Sequence, residues 1–141
     1  MTLKVKISKK LIPYKTAISF LEKRVDLLKK GKNNDLLWIL EHPLTFTQGI
    51  RSKDNEILDK KNIGVWVKKK KIAAIGLRVT RWIAYHGCSI NIDNNLDYYK
   101  KIIPCGLDNN KITSVKKESN IIVQNIEVKL KNIFLKNLKN I

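Results

Sequence analysis

Two stretches of the chain place apolar residues at helical spacing. The first runs from Thr16 to Lys30 and is closed by Gly31, a residue type that suits the end of a helix. Its apolar positions are Ala17, Ile18, Leu21, Val25 and Leu28. The second runs from Glu118 onward, with Ser119 or Asn120 available to cap its start. Its apolar positions are Ile122, Ile126, Leu130 and Ile133. The pattern therefore predicts one helix early in the chain and one at its end.

Shorter apolar runs between these helices predict strands. Leu36 to Leu40 is apolar and stops at Glu-His-Pro, because proline disfavours a helical residue before it, so we expect a buried strand followed by a loop. Gly64 to Val67 and Ile72 to Thr80 flank four lysines, which predicts a hairpin with Lys68 to Lys71 on its turn. Tyr85 to Ile92 predicts a third strand that ends in an Asp-Asn-Asn turn.

A short helix is predicted at Leu96 to Ile102, where Pro104 would end it. Helices and strands together indicate a mixed α/β fold. With 141 residues, 16.3 kDa and 43% hydrophobic residues, the chain has the size and composition of one globular domain. We therefore expect a single domain over residues 1–141.

The charge of the chain is strongly positive, but its composition weakens the functional meaning of that charge. Lysine and arginine number 29 against 12 acidic residues, a formal net charge of +17. Of the 29, however, 25 are lysine, and the chain also holds 14 Asn and 20 Ile, as AT-rich codon usage would produce. Reading of bases and phosphates favours arginine, and few aromatic residues accompany the lysines. Nucleic-acid binding is therefore an alternative that we do not favour.

The N-terminal segment and the cysteines indicate a reducing compartment. The first ten residues contain no apolar run of the length that a signal peptide or a spanning helix needs, so we expect a cytoplasmic protein and no membrane contact. Cys88 and Cys105 are then expected as free thiols. Neither has the Cys and His spacing of a zinc site, so no metal is predicted.

Three residues are candidates for chemistry, each with a plainer interpretation. Cys105, between Pro104 and Gly106, is either a nucleophile held on a rigid loop or a bystander in a turn. Lys71 is either part of a solvated hairpin tip or, beside Cys105, a cation that favours the thiolate. His86 is either a hydrogen-bonded strand residue or a site residue next to a close backbone approach at Gly87.

Cys88, by contrast, lies in an apolar strand pattern and is expected to pack inside, as free cysteines commonly do.

Four segments in order resemble the lipoyl(octanoyl) transferases, which share a fold with biotin and lipoate protein ligases. Their sequences are EHPLTFTQG at 41–49, GVWVKKKKIAAIGLRV at 64–79, WIAYHG at 82–87 and IIPCGLDNNKITSV at 102–115. The resemblance implies a sheet flanked by helices and no metal or redox cofactor. It also implies a two-stage reaction: a thiol takes an octanoyl group from acyl carrier protein and passes it to a lysine of a lipoyl domain.

The resemblance also assigns roles to residues of this chain. Cys105 matches the cysteine that forms the thioester, and Lys71 matches the lysine that lowers its pKa. An ordinary cysteine, with a pKa of about 8.5, is only slightly ionised at neutral pH, so a nearby cation should matter. The positions that match the acyl pocket of the family are Ala74, Ile75, Gly76, His86, Gly87, Cys88 and Ser89.

One block of the family is missing. The family carries a glycine-rich segment, RGGxxTYHGPGQ, and a helix before its GVWV strand, whereas here Ile63 is followed directly by Gly64. The resemblance therefore predicts an internally shortened copy that lacks part of the family core. Such a copy is either an octanoyltransferase or, as an alternative, a catalytically inactive remnant that acts as a binding protein.

Overall fold

The structure is a computed structural model that describes residues 3–45, 64–102, 111–119 and 124–138. The elements in these ranges are, in order, β1 (Lys4–Ile7), α1 (Tyr14–Lys29), β2 (Leu36–Ile39), β3 (Val65–Val67), β4 (Lys70–Thr80), β5 (Ile83–Ile90), a 3₁₀ helix (Leu96–Lys101), α2 (Val115–Ser119) and α3 (Ile126–Leu138). They form one sheet of β1 and β2 and a second in the order β3-β4-β5. The mixed α/β class predicted from the sequence is confirmed.

The chain divides into two compact units. One contains β1, α1, β2, the Arg78–Tyr85 end of the β4–β5 hairpin, and α3. The other contains β3, the remaining parts of β4 and β5, the 3₁₀ helix and α2. None of the helices in the described ranges is long and apolar enough to cross a membrane.

Helix α1 connects two parallel strands in the first unit. β1 and β2 pair in parallel, from Lys4 with Leu36 to Ile7 with Ile39. Parallel neighbours need a long crossover, and α1 supplies it. The sequence pattern indicated β2 but not β1, because β1 is short and two of its four residues are lysines. β2 is also half-buried rather than fully buried as predicted.

The ends of α1 follow local chemistry. The helix begins at Tyr14, two residues earlier than predicted, directly after Pro13, whose backbone is extended. At the other end Gly31 takes a left-handed φ of 65°. Its N–H donates to the Leu28 carbonyl at 2.9 Å, and the Lys32 N–H donates to the Leu27 carbonyl at 2.9 Å. Because this pattern satisfies the last free carbonyls of a helix, the predicted closure at Gly31 is confirmed.

Aromatic side chains pack around the first sheet. The Phe20 and Trp38 rings meet edge to face, 4.9 Å apart, and the Lys6 ammonium lies 4.5 Å from the centre of the Trp38 ring. After β2, Nδ1 of His42 is 2.6 Å from the Ile12 carbonyl oxygen. His42, from the Glu-His-Pro segment, therefore holds the end of β2 to the loop before α1.

The hairpin turns in the second sheet are tighter than predicted. Lys68 and Lys69, with φ of 47° and 63°, form the turn between β3 and β4, so the other two lysines of the run belong to β4. Arg81 and Trp82, with φ of 47° and 65°, form the turn between β4 and β5. Two-residue turns with positive φ suit antiparallel hairpins. The third predicted strand thus begins two residues earlier, at Ile83.

The last part of the chain differs from the prediction of one capped helix. α2 ends at Ser119, whose hydroxyl donates back to the Val115 carbonyl at 2.8 Å. The two residues expected to cap the helix are Ser119, the last residue of α2, and Asn120, which lies outside the described residues. α3 begins after Asn125, which has a φ of 51°. Apolar spacing detects a helical face but not this backbone angle, so it does not predict where α3 begins.

Candidate active site

The predicted site residues lie on two neighbouring strands and on one segment outside the described residues. Lys71, Ala74, Ile75 and Gly76 are on β4, and His86 to Ser89 are on β5. Cys105 and Pro104 lie outside the described residues, as do residues 46–49 of the first signature and Ile63. The structure therefore describes the strand that carries Lys71, and it describes the chain before and after the Cys105 segment.

Lys71 is buried, which contradicts its interpretation as part of a solvated hairpin tip. Only 6% of the residue is exposed, although it follows three lysines in sequence. The tip consists of Lys68 and Lys69, and β4 has already begun at Lys70. The Lys71 ammonium lies 5.9 Å from the centre of the Trp66 ring. The fold thus takes one cation of the lysine run away from solvent.

The backbone of Lys71 has partners on both sides of its strand. On one side it is paired with Trp66 of β3. On the other it forms a parallel bridge with Ile112, and the Thr113 N–H donates to the Lys71 carbonyl at 2.9 Å. Ile112 is seven positions after Cys105 in the sequence. The chain that leaves the Cys105 segment therefore runs directly beside Lys71.

A buried polar cluster holds this returning chain. Thr113 is fully buried, and its hydroxyl donates to a Glu118 carboxylate oxygen at 2.7 Å. The other Glu118 oxygen is 3.7 Å from the Lys68 ammonium. The Thr113 hydrogen bond holds the pKa of Glu118 below its ordinary value, against an opposing effect of desolvation, and the charges of Lys68 and Lys70 add to the lowering.

Asn91 connects the two flanks of the Cys105 segment. Its side-chain oxygen accepts a hydrogen bond from the Tyr99 hydroxyl at 3.0 Å, and its side-chain nitrogen donates to the Thr113 carbonyl at 3.1 Å. The Asn91 backbone N–H in turn donates to the Ile72 carbonyl of β4 at 2.9 Å. One side chain thus joins the chain before Cys105, the chain after it and, through its backbone, β4.

Sequence reasoning missed the roles of Thr113, Glu118 and Asn91. In the sequence Asn91 was only a residue inside the predicted strand from Tyr85 to Ile92, and Glu118 only began a predicted helix. The signal that could have indicated Thr113 and Ser114 is their position between Ile112 and Val115, since two small polar residues in an apolar context often carry buried hydrogen bonds. Their hydrogen-bond partners lie up to 42 positions away in the sequence, so no local hydrophobic pattern indicates these contacts.

The residues assigned to the acyl pocket differ in exposure. Ala74 is half-buried, Ile75 and Gly76 are exposed, and on β5 Gly87 is half-buried while Ser89 is exposed. Cys88 is a free, exposed thiol, so the expectation that it packs inside is wrong. The physical reason is its position on the strand: exposed and half-buried residues alternate along β5, and Cys88 lies with Ala84 and His86 on the exposed face.

A close backbone approach at Gly87, which belonged to one of the two interpretations of His86, is not observed within the described part of the chain. His86 and Gly87 have φ of 72° and 145°, conformations that favour glycine at the second position. A Cβ added to Gly87, or to Gly76, would meet no other side chain or backbone within 4 Å in the described part of the chain. Gly87 is therefore required by its backbone angle, and the His86 side chain is exposed beside it.

No three His, Cys, Asp or Glu side chains gather in residues 3–45, 64–102, 111–119 and 124–138 in a way that could hold a metal ion. The Lys71 ammonium is a cation that can stabilise an anionic nucleophile placed beside it. Hydrogen bonds among Thr113, Glu118, Asn91 and Tyr99 hold the backbone next to Lys71 and on both flanks of Cys105.

Comparison with known proteins identifies the family. The sequence profile described as lipoyl protein ligase A/B catalytic domain matches residues 59–135, more than half of the chain. The chain belongs to this family. The matched range contains Lys71, Cys105 and every position assigned to the acyl pocket. The family resemblance inferred from the four sequence segments is confirmed, and with it the assignment to an enzyme family.

Curated relatives extend over most of the chain. An octanoyltransferase of Anaplasma marginale (strain Florida) is 27% identical over 179 residues, covering 79% of this chain and 84% of the relative. An octanoyltransferase of Ehrlichia chaffeensis is 29% identical over 198 residues, covering 92% of each protein. One of Ehrlichia ruminantium (strain Gardel) is 29% identical over 200 residues, covering 93% and 96%. No solved structure matches this chain.

Proposed function

We propose that the protein is a cytoplasmic octanoyltransferase of protein lipoylation. It takes an octanoyl group from acyl carrier protein, holds it as a thioester on Cys105, and passes it to a lysine of a lipoyl domain. The relatives named octanoyltransferases support the acyl group that is transferred. The positive charge of the chain, +17, is complementary to an acidic carrier protein.

One observation carries the proposed roles of Lys71 and Cys105. Lys71 is buried, and the segment that returns from Cys105 is hydrogen-bonded to the Lys71 backbone through Thr113. A buried cation near a cysteine stabilises the thiolate more than an exposed one, because solvent screens it less. This arrangement supports a Lys71 ammonium that makes the Cys105 sulfur nucleophilic.

The reaction balances in two steps. The Cys105 thiolate attacks the octanoyl carbonyl, a new carbon–sulfur bond forms, and the pantetheine thiolate of the carrier leaves and takes up a proton from the Lys71 ammonium, which becomes a neutral amine. The amine of the lipoyl-domain lysine then attacks the Cys105 thioester, the amide bond forms, and the Cys105 thiolate leaves. The proton lost by the attacking amine passes to a base, for which the leaving thiolate and Lys71 are the candidates.

We further propose that the chain is one domain that lost an internal block near residues 63 and 64. The alignment with the Anaplasma marginale relative spans 179 positions but covers 79% of the 141 residues of this chain, about 111 residues. About 68 aligned positions of the relative therefore have no counterpart here. The exposure of the outer half of β4 supports the same interpretation, since a missing block would leave apolar strand residues uncovered.

This shortening favours one alternative function, a binding protein that keeps the fold without turnover. The two functions separate in one experiment. We expect incubation with octanoyl-acyl carrier protein to add one octanoyl group to the intact protein, and peptide mapping to place the group on Cys105. Cys88, an exposed free thiol on a different peptide, is the internal control. Binding of the carrier protein without an adduct on Cys105 would support the binding protein instead.

A further inference from the structure

Two residues of the short β3 region contact the Lys71 side chain from the neighbouring part of the hairpin. We propose that Gly64 and Trp66 are positioning residues that hold the Lys71 ammonium in place with its positive charge uncompensated. The inference rests on the proposed function, in which Lys71 stabilises the Cys105 thiolate. Neither residue needs to touch the substrate for this role.

Gly64 leaves the space that the Lys71 side chain occupies. A Cβ added at residue 64 would lie 2.6 Å from Lys71 Cε and 3.4 Å from Lys71 Nζ, and it would overlap the carbonyl oxygen of Ala73. The backbone φ of Gly64 is also 139°, a conformation that other residues rarely adopt. The lysine chain therefore lies against bare backbone, and any side chain at residue 64 would displace it.

Trp66 offers the ammonium an aromatic face. It is the residue of β3 paired with Lys71 across the strands, and its ring centre is 5.9 Å from Lys71 Nζ. This distance is within the range of a cation–π interaction. An aromatic ring stabilises a buried cation without neutralising it, whereas a carboxylate would form an ion pair and cancel its charge.

The carboxylate of Glu118 has other partners. Glu118 lies close to the hairpin, but its two oxygens are used by the Thr113 hydroxyl and the Lys68 ammonium. In the described ranges, no Asp or Glu comes within 4.0 Å of the Lys71 ammonium. The Lys71 ammonium therefore forms no ion pair with a carboxylate of these ranges.

The first experiment measures the position of Lys71 directly. Brief acetylation with acetic anhydride, followed by peptide mapping, compares the labelling of Lys71 with that of the exposed Lys68 in the same molecule. We expect Lys71 to be labelled at least about tenfold more slowly than Lys68 in the unchanged protein, because reagent access follows exposure. In Gly64→Ala, Lys71 should be labelled almost as fast as Lys68.

The second experiment measures the consequence for Cys105. The rate of iodoacetamide alkylation at Cys105 is followed against pH in Trp66→Leu and Trp66→Phe. Loss of the ring should slow alkylation at neutral pH about threefold to tenfold, and Trp66→Phe should restore most of it, because phenylalanine keeps an aromatic face. If Trp66→Leu slowed alkylation only by loosening the packing, Trp66→Phe would not restore the rate.

Controls separate this role from structural damage. Gly31→Ala places a side chain at another positive φ with nothing within 4 Å, and Trp82→Leu removes a fully exposed ring. Neither should change Lys71 labelling or Cys105 alkylation. The inference is overturned if Lys71 stays protected in both Gly64→Ala and Trp66→Leu. If instead Lys71→Met leaves Cys105 alkylation unchanged, the proposed role of Lys71 fails while the labelling result still decides the positions of Gly64 and Trp66.

Discussion

The two halves of strand β4 have opposite environments. In the first half, from Lys70 to Ala73, buried and half-buried residues alternate, and both Lys71 and Ala73 are only 6% exposed. In the second half, Leu77 and Val79 are 66% and 65% exposed, and Trp82 on the following turn is fully exposed. The apolar content of the strand does not fall along its length, so hydrophobicity alone does not explain the difference.

The difference lies in the strand's neighbours. The first half is paired with β3 on one side and bridged by Ile112 on the other. β3 ends after three residues, and its pairing extends along β4 only as far as Ala73. A polar residue is therefore buried at Lys71 because two segments cover it, while apolar residues at Leu77 and Val79 are exposed where those two segments do not reach.

The largest expected effect comes from removing the buried cation. Lys71→Met should abolish detectable octanoyl transfer and slow Cys105 alkylation at neutral pH by about tenfold or more, because the thiolate loses its cation. Arg78→Met, a cation-to-apolar change in the exposed half of β4, is the matched control and should alter neither rate. Equal losses in both variants would remove the distinction between the two halves.

The next effect concerns the segment that covers Lys71. Thr113→Val keeps the shape of the side chain but removes the hydroxyl that donates to Glu118. We expect it to lower the free energy of unfolding by about 1–3 kcal/mol, because a buried hydrogen bond is lost and its acceptor is left without that donor. Urea denaturation measures the change. Thr80→Val, at the end of β4, provides the comparison, and a similar loss there would contradict the special role of the Thr113 contact.

A smaller effect is expected in the pH dependence of stability. The pKa of Glu118 is lowered in the folded protein, mainly by the Thr113 hydroxyl. This carboxylate therefore stabilises the fold above its ordinary pKa of 4.5, and the contribution is lost as the pH falls through the lowered folded pKa. Glu118→Gln should weaken the decline of the thermal midpoint below pH 4.5. An unchanged acid limb would show that Glu118 makes no such contribution.

The smallest effect is expected in the exposed half. Leu77→Thr and Trp82→Ser should change the free energy of unfolding by less than about 0.5 kcal/mol, since exposed side chains contribute little to the core. Both variants should instead reduce concentration-dependent association, measured by light scattering, because exposed apolar surface promotes it. A loss of stability comparable with that of Thr113→Val would mean that this half is covered in solution.

Several elements could be predicted from the sequence because their causes are local. The stripe of Ala17, Leu21 and Val25 predicted α1, and Gly31 predicted its end, since both signals depend only on nearby backbone. The hairpin was also predicted, with shifts of one or two residues, and so was a short helix from Leu96, which the structure shows to be a 3₁₀ helix. Four ordered sequence segments were sufficient to indicate the family.

The environment of each site residue depended on the tertiary structure. The four residues at 68–71 are all lysine, yet two of them form the turn and one is buried. Cys88 was expected inside and is exposed, because it lies on the exposed face of β5. Burial depends on which distant segments pair with a strand, and neither the Ile112 bridge to Lys71 nor the Asn91 contacts leave a pattern in the local sequence. The chain by itself therefore determined its family, its fold class and its candidate residues, whereas only the tertiary structure decided that, in the run of four lysines at 68–71, Lys71 is held away from water.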